Sequence, residues 1–203
     1  MPETEEVVSA WQRIAAWLRD HAPASAEVLR PGATDEEIAT LTHRLGFEIP
    51  EALAAWLRVN NGSTAKDVRK PLTGGGVALL PHRDSAIFPD DMRFLGCREI
   101  AEQHANYLHI AQGIGDDEYW KPQWIPIAEK GDGPYGIILS ADTSSSSLPL
   151  LKFREGDYPG LFVSSLTEFL RPLADLLETG QAPGTVMEYE RFSVADGRID
   201  WSY

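Results

Sequence analysis

Apolar residues recur at helical spacing from the start of the chain. Val7, Trp11, Ile14 and Leu18 form a stripe that Val8 and Ala15 widen, the period expected of an amphipathic helix. Thr4 is placed as its N-cap, with Glu5 and Glu6 at the positive end of the helix dipole. His21-Ala-Pro ends it, and a small-residue linker leads to Pro31-Gly32. A second helix opens on Thr34-Asp-Glu-Glu37, a capping box in which hydroxyl and carboxylate each accept a backbone N–H of the first turn. Ile38, Leu41 and Leu45 mark its buried face, and Gly46 takes the left-handed position after it. A third helix begins at Pro50-Glu51, carries Leu53, Trp56 and Leu57, and stops at Asn60-Asn61-Gly62. A fourth is predicted from about residue 98 to 111. The last runs from about 165 to 178, with Ser165 and Glu168 as a second capping box. Pro172 inside it is expected to kink it or shift its start.

The period changes to short apolar runs in the middle of the chain. Val77-Ala-Leu-Leu80 follows three glycines, and Phe94-Leu95 is a brief strand. Trp124-Ile-Pro-Ile-Ala128, Gly136-Ile-Ile-Leu-Ser140 and Pro149-Leu-Leu-Lys-Phe153 come in succession with tight loops between them, which favours antiparallel pairing. The tail is also strand-like: Val186, Phe192, Val194, Ile199 and Trp201 surround Asp196-Gly197, a hairpin turn signal. Helices grouped ahead of consecutive strands predict an α+β fold, a central, mostly antiparallel β-sheet surrounded by helices. The tail is expected to pack on the domain or to pair at a sheet edge, since Phe192 and Trp201 left bare would invite aggregation.

Composition narrows the function. The 203 residues hold 31 Asp+Glu against 18 Lys+Arg, a formal net charge of −13, which argues against nucleic acid as a partner and favours a basic protein surface. The single cysteine, Cys97, excludes an internal disulfide and a cysteine zinc knuckle. The opening Met-Pro-Glu-Thr-Glu-Glu is acidic where a secretory signal is basic, and no apolar run reaches the ~18–20 residues that span a bilayer. A cytoplasmic protein without membrane contact is expected.

No motif for catalysis stands up. Gly131-Asp-Gly133-Pro-Tyr-Gly136 has the letters of a dinucleotide fingerprint, but strand-like residues follow it where a helix is needed, so it reads as a hairpin loop. Asp116-Asp117-Glu118 offers hard oxygen ligands but lacks the spacing of a calcium loop. His104 and His109 lie ~140° apart on a helix and share no face. Ser144 to Ser147 has no nucleophile-elbow context, and Cys97 reads as a semi-buried residue. No enzyme activity, metal or cofactor is expected. An enzymatic alternative would be a metal-dependent hydrolase using Asp116, Asp117 and a histidine. The favoured surface is an acidic contact region of Asp116, Asp117, Glu118 and Asp132, to which Tyr119 and Trp120 add aromatic anchors. Glu129 and Asp142 add to the charge of that stretch.

Pro31-Gly-Ala-Thr-Asp-Glu-Glu-Ile through Leu45-Gly-Phe-Glu-Ile-Pro50, then Leu53-x-x-Trp-Leu and Asn60-Asn-Gly62, resembles the opening of the SUKH superfamily, the family of the fungal Smi/Knr-type cell-wall assembly regulators and many bacterial relatives. Trp124-Ile-Pro-Ile-Ala128, Gly131, Gly133 and Asp142 resemble its second signature, and Phe169-Leu170 lies in the expected last helix. The resemblance covers about residues 31 to 178. Residues 1–30 then form an N-terminal helix and linker of the same fold, and 179–203 a strand or hairpin extension. It implies a SUKH-like α+β domain without a shared catalytic site, with Trp124 and Ile127 in the core and Gly131 and Gly133 at a turn. It also implies a protein-binding role: bacterial members resemble immunity proteins that neutralise a cognate toxin domain, and fungal relatives resemble regulatory scaffolds of wall synthesis.

Overall fold

In a computed structural model, which describes residues 2–131, 134–142 and 148–202, the first apolar stripe forms α1 (Glu3–His21), burying Val7, Trp11, Ile14 and Leu18. The helix starts ahead of the predicted cap: Pro2 is the N-cap and Thr4 lies inside the first turn, where the dipole is met by Glu3, Glu5 and Glu6. The expected linker contains a single-turn helix, α2 (Pro23–Glu27), opened by a proline whose missing N–H costs nothing there. α3 (Asp35–Leu45) carries the complete capping box. Thr34 Oγ1 accepts from the Glu37 N–H at 3.2 Å, Glu37 accepts from the Thr34 N–H at 2.8 Å, and Gly46 is left-handed. α4 (Glu51–Val59) has Pro50 as its N-cap, one residue before the expected place.

β1 (Val68–Pro71) and β2 (Val77–Leu80) form a separate hairpin, and β1 has no forecast in the sequence. β3 (Met92–Phe94) leads into α5 (Cys97–Ile114), followed by β4 (Trp124–Lys130), β5 (Gly136–Ser140), β6 (Leu150–Phe153) and β7 (Gly160–Val163). These strands make one antiparallel sheet in the order β3-β4-β5-β6-β7, as the α+β expectation requires. β7 escapes a pattern reading because it is four residues long and largely exposed. The loop from Gly131 joins two antiparallel neighbours, β4 and β5, and no helix follows it. Gly133 and Ser144 to Ser147 lie outside the described residues.

α6 (Leu166–Thr179) runs unbroken through Pro172. Its capping box forms by half: Ser165 Oγ accepts from the Glu168 N–H at 3.1 Å, but the Glu168 carboxylate turns to Ser164 instead. β8 (Arg191–Ala195) and β9 (Arg198–Ser202) close the chain as a hairpin, with Asp196 and Gly197 both at positive φ, the twist-matched turn that Asp-Gly favours. The hairpin packs on the domain without joining the main sheet. Ile199 and Trp201 are buried, the Ile199 N–H donates to Ser25 Oγ at 3.1 Å, and Arg198 pairs with Asp84 at 2.8 Å.

Both faces of the sheet are covered, so every residue of β5 is buried. Ile125, Ile127, Ile137, Leu139 and Leu150 point into the main core with α1, α4 and α6, where Trp56 stacks on Phe94 at 4.1 Å beside Trp11 and Phe88. Trp124, Ile138 and Phe153 face the other way, against Tyr107 and Ala111 of α5 and against Trp120.

The first family-like segment is a junction between elements. Gly62 approaches Gly96 so closely that a Cβ on it would lie 2.3 Å from the Gly96 nitrogen. Asn61 Oδ1 accepts from the Cys97 N–H at 2.8 Å at the start of α5, and Arg30 grips Glu99 through two hydrogen bonds of 2.9 and 2.7 Å. Burial alone would raise the Glu99 carboxyl, but Arg30 overrides it and lowers the pKa to about 2. A carboxylate depressed in the folded state stabilises above its unfolded pKa and loses that contribution as pH falls toward the folded one. Between pH 5 and 2 the wild type should therefore lose roughly 2–3 kcal/mol that Glu99→Gln lacks throughout. Urea melts of both proteins across that range check this, with the gap between them expected to close on acidification.

Candidate functional site

The acidic turn is built at the end of α5. Gly115 takes the left-handed conformation and the Asp116 N–H returns to the Ala111 carbonyl at 3.0 Å, which stops the helix and satisfies a terminal carbonyl. Asp116 Oδ1 accepts from the Glu118 N–H at 3.0 Å, so the carboxylate shapes its own turn. Asp117 and Glu118 are exposed, Asp116 and Tyr119 half-buried, and Lys121 reaches Glu118 at 3.1 Å.

Two buried side chains hold this turn to the body. Trp120 stacks on Tyr107 at 4.3 Å and meets Phe153 edge-on at 5.4 Å. The His104 ring bonds through Nε2 to the Pro122 carbonyl at 2.8 Å, which makes that nitrogen the protonated one, and burial lowers the pKa of the ring. Trp120 is only 3% exposed, which corrects its assignment as a contact anchor. Alternating strand residues and α5 form an apolar pocket behind the turn, and the indole fills it. Glu129 is likewise removed from the acidic surface. It lies across the β3–β4 ladder from Arg93 and is buried in an ion pair with it. Burial pushes its carboxyl up, against the pull of Arg93. Asp132 lies outside the described residues, and Asp142 is exposed at the end of β5.

The structure adds residues that the sequence reading missed. Tyr158, in the β6–β7 loop, donates its hydroxyl to Asp116 Oδ2 at 2.8 Å and is 64% exposed. It shares a groove with Leu161 on the edge strand β7, which is 73% exposed. Ile114, the last residue of α5, is exposed beside the turn. Asp116, Asp117 and Glu118 are therefore bordered by Tyr158, which continues into the groove that Leu161 lines. An exposed tyrosine and leucine beside fixed carboxylates form an aromatic and apolar centre with a charged rim, the usual division of a protein interface. Within a loop reading Glu-Gly-Asp-Tyr-Pro-Gly, only the tyrosine could have drawn notice.

The remaining chemical candidates are spread apart. Among the described residues no group of three or more His, Cys, Asp or Glu is placed to hold a metal. Cys97 is buried, and that burial pushes its thiol up to about 11, away from thiolate reactivity. No helix among the described residues is long and apolar enough to cross a membrane.

Residues 32–171 match the SMI1/KNR4 family (SUKH-1). The chain belongs to that family. The match takes in the Arg30–Gly62 junction from Gly32 onward, the whole five-stranded sheet and the first part of α6. The SMI1/KNR4 match leaves out α1 and the terminal hairpin, although both contribute to the same core. No curated protein was found to match the chain.

Proposed function

We propose that this SMI1/KNR4-family protein is a non-catalytic binding domain that acts in the cytoplasm as an immunity protein, neutralising a toxin with a basic, nuclease-like surface. The observation that carries this reading is the continuity of the Asp116–Glu118 turn with exposed Tyr158 through a hydrogen bond of 2.8 Å. The net charge of −13 draws a cationic surface inward. Tyr158, Leu161 and Tyr119 then supply contact that excludes water, while Asp117 and Glu118 stay at the rim. Asp132 is proposed as a further partner-binding carboxylate on its place in the sequence alone.

The test is capture of the partner from the protein's own host, followed by stopped-flow association. One dominant protein is expected, with a nucleolytic activity that falls away at equimolar binding. Asp116→Lys with Asp117→Lys should slow association by ~10-fold at low salt and flatten its ionic-strength dependence, because rim charges act on encounter. Tyr158→Ala should act mainly on release, by ~10-fold or more. An association rate insensitive to salt would reduce the acidic surface to a solubility device. Several weak partners with no loss of activity in any of them would point to the regulatory scaffold role.

A further inference from the structure

The hairpin β1–β2 pairs with no other strand among the described residues. Residues directly opposite in an antiparallel ladder share a face, so Arg69 with Leu79 and Pro71 with Val77 form one side of it. That side is bare: Val77 is 59% exposed and Leu79 56%, and Leu72 at the turn is 51% exposed. Val68, Ala78 and Leu80 on the opposite side are half-buried. A two-stranded hairpin is marginal alone, and an apolar strip on one is usually covered.

Its two edges differ in kind. β1 reads Val-Arg-Lys-Pro, with the charges and proline that discourage further pairing. β2 reads Val-Ala-Leu-Leu and carries no such guard. The charge is also unlike the rest of this acidic chain. Residues 64 to 80 hold Lys66, Arg69 and Lys70 against Asp67 alone. Lys66 turns to Asp84 at 3.2 Å, whereas the exposed Arg69 and Lys70 have no ion-pair partner among the described residues.

We propose that the outer edge of β2 accepts an extended segment of a partner protein in which apolar residues alternate with carboxylates. The added strand continues the Val77–Leu79 strip with its apolar residues. Its carboxylates, which all fall on the opposite face, lie across β2 from Lys70, with Arg69 adding to the positive field of the hairpin. Charge selects this occupant over a second copy, because joining two hairpins edge to edge pools the cations Arg69 and Lys70 of both in one four-stranded ribbon, whereas an acidic strand offsets them. It also selects against an anionic bilayer, whose extended surface would meet the repulsion of the whole −13 chain. A single acidic strand can approach the hairpin alone. The surface is opposite in charge to the acidic turn, so either assignment can fail without the other.

The test uses the full chain and a fluorescein-labelled peptide of alternating Glu and Val, followed by polarisation, with a Thr-Val peptide as the neutral control. The acidic peptide should bind ~10-fold more tightly than the neutral one. Arg69→Glu with Lys70→Glu should remove that preference. Val77→Thr with Leu79→Thr, which keeps strand propensity, should weaken binding of the acidic peptide by ~10-fold. No binding, equal affinity for the two peptides, or affinity unchanged in these variants overturns the proposal. Hairpin-dependent binding to phosphatidylserine–phosphatidylcholine vesicles, or hairpin-dependent dimerisation in sedimentation, without peptide binding, overturns it in favour of a lipid surface or a second copy.

Discussion

Truncation after Gly180 is expected to yield a chain that is insoluble or lacks a cooperative melt. The missing segment supplies Met187, Ile199 and Trp201, all buried, together with Phe192, which meets Trp17 edge-on at 5.2 Å. Burying side chains of this size contributes ~1.5–3 kcal/mol each, so the loss approaches a typical total stability of ~5–15 kcal/mol. The truncation also removes the Gly197 carbonyl that receives the Ala24 N–H at 2.7 Å. Arg198 is lost from the buried carboxylate of Asp84, and the bond from Arg83 to Asp200 goes with it. Surfaces of α1, α2 and the 83–85 turn would all be bared together. Circular dichroism melts and soluble yield compared with the full chain check this. A soluble truncation with an unchanged melting temperature would make the hairpin an appendage, although it lies in one core with the rest.

Trp120→Ala should lower the unfolding free energy by ~3–5 kcal/mol, the range for emptying a buried aromatic site. The indole is stacked on Tyr107 and enclosed by Phe153 and Trp124, so its removal leaves a cavity between α5 and the sheet. Its Nε1 has no hydrogen-bond partner among the described residues. Trp120→Phe should therefore cost clearly less than Trp120→Ala, since the ring it keeps leaves a smaller cavity and no hydrogen bond is lost. Urea unfolding separates the two variants. If Trp120→Ala left stability unchanged and altered only partner release, the indole would be a contact residue after all. The turn it supports carries Asp116 to Glu118, so the alanine variant should also loosen the proposed binding surface through a longer path than direct contact.

The same aromatic shows where local reading stops. Tyr119, Trp120 and Trp124 stand close together in the chain, and their order cannot say which is inside. Tyr107 on α5 and Phe153 on β6 decide it, and they are brought there by the packing of α5 on β4. Glu129 gives a similar lesson. In the sequence it counts toward an acidic surface, but the β3–β4 register sets it opposite Arg93 in the interior. Tyr158 becomes part of the candidate site only because the β6–β7 loop meets the end of α5.

The features legible in the sequence alone were those whose causes lie within a few residues. The Thr34 capping box, the left-handed glycines after α3 and α6, and the Asp196-Gly197 turn depend on backbone groups near them in the chain. The apolar stripes of α1, α3, α4 and α6 depend only on helical period, and the order of the Pro31–Gly62 segment was enough to point to the family. Short elements such as α2, β1 and β7 carry too few residues for a period to emerge. Tertiary structure alone decided which polar groups and aromatics are buried and which loops adjoin. Burial and pairing are properties of what packs against a residue, and those neighbours come from distant parts of the chain.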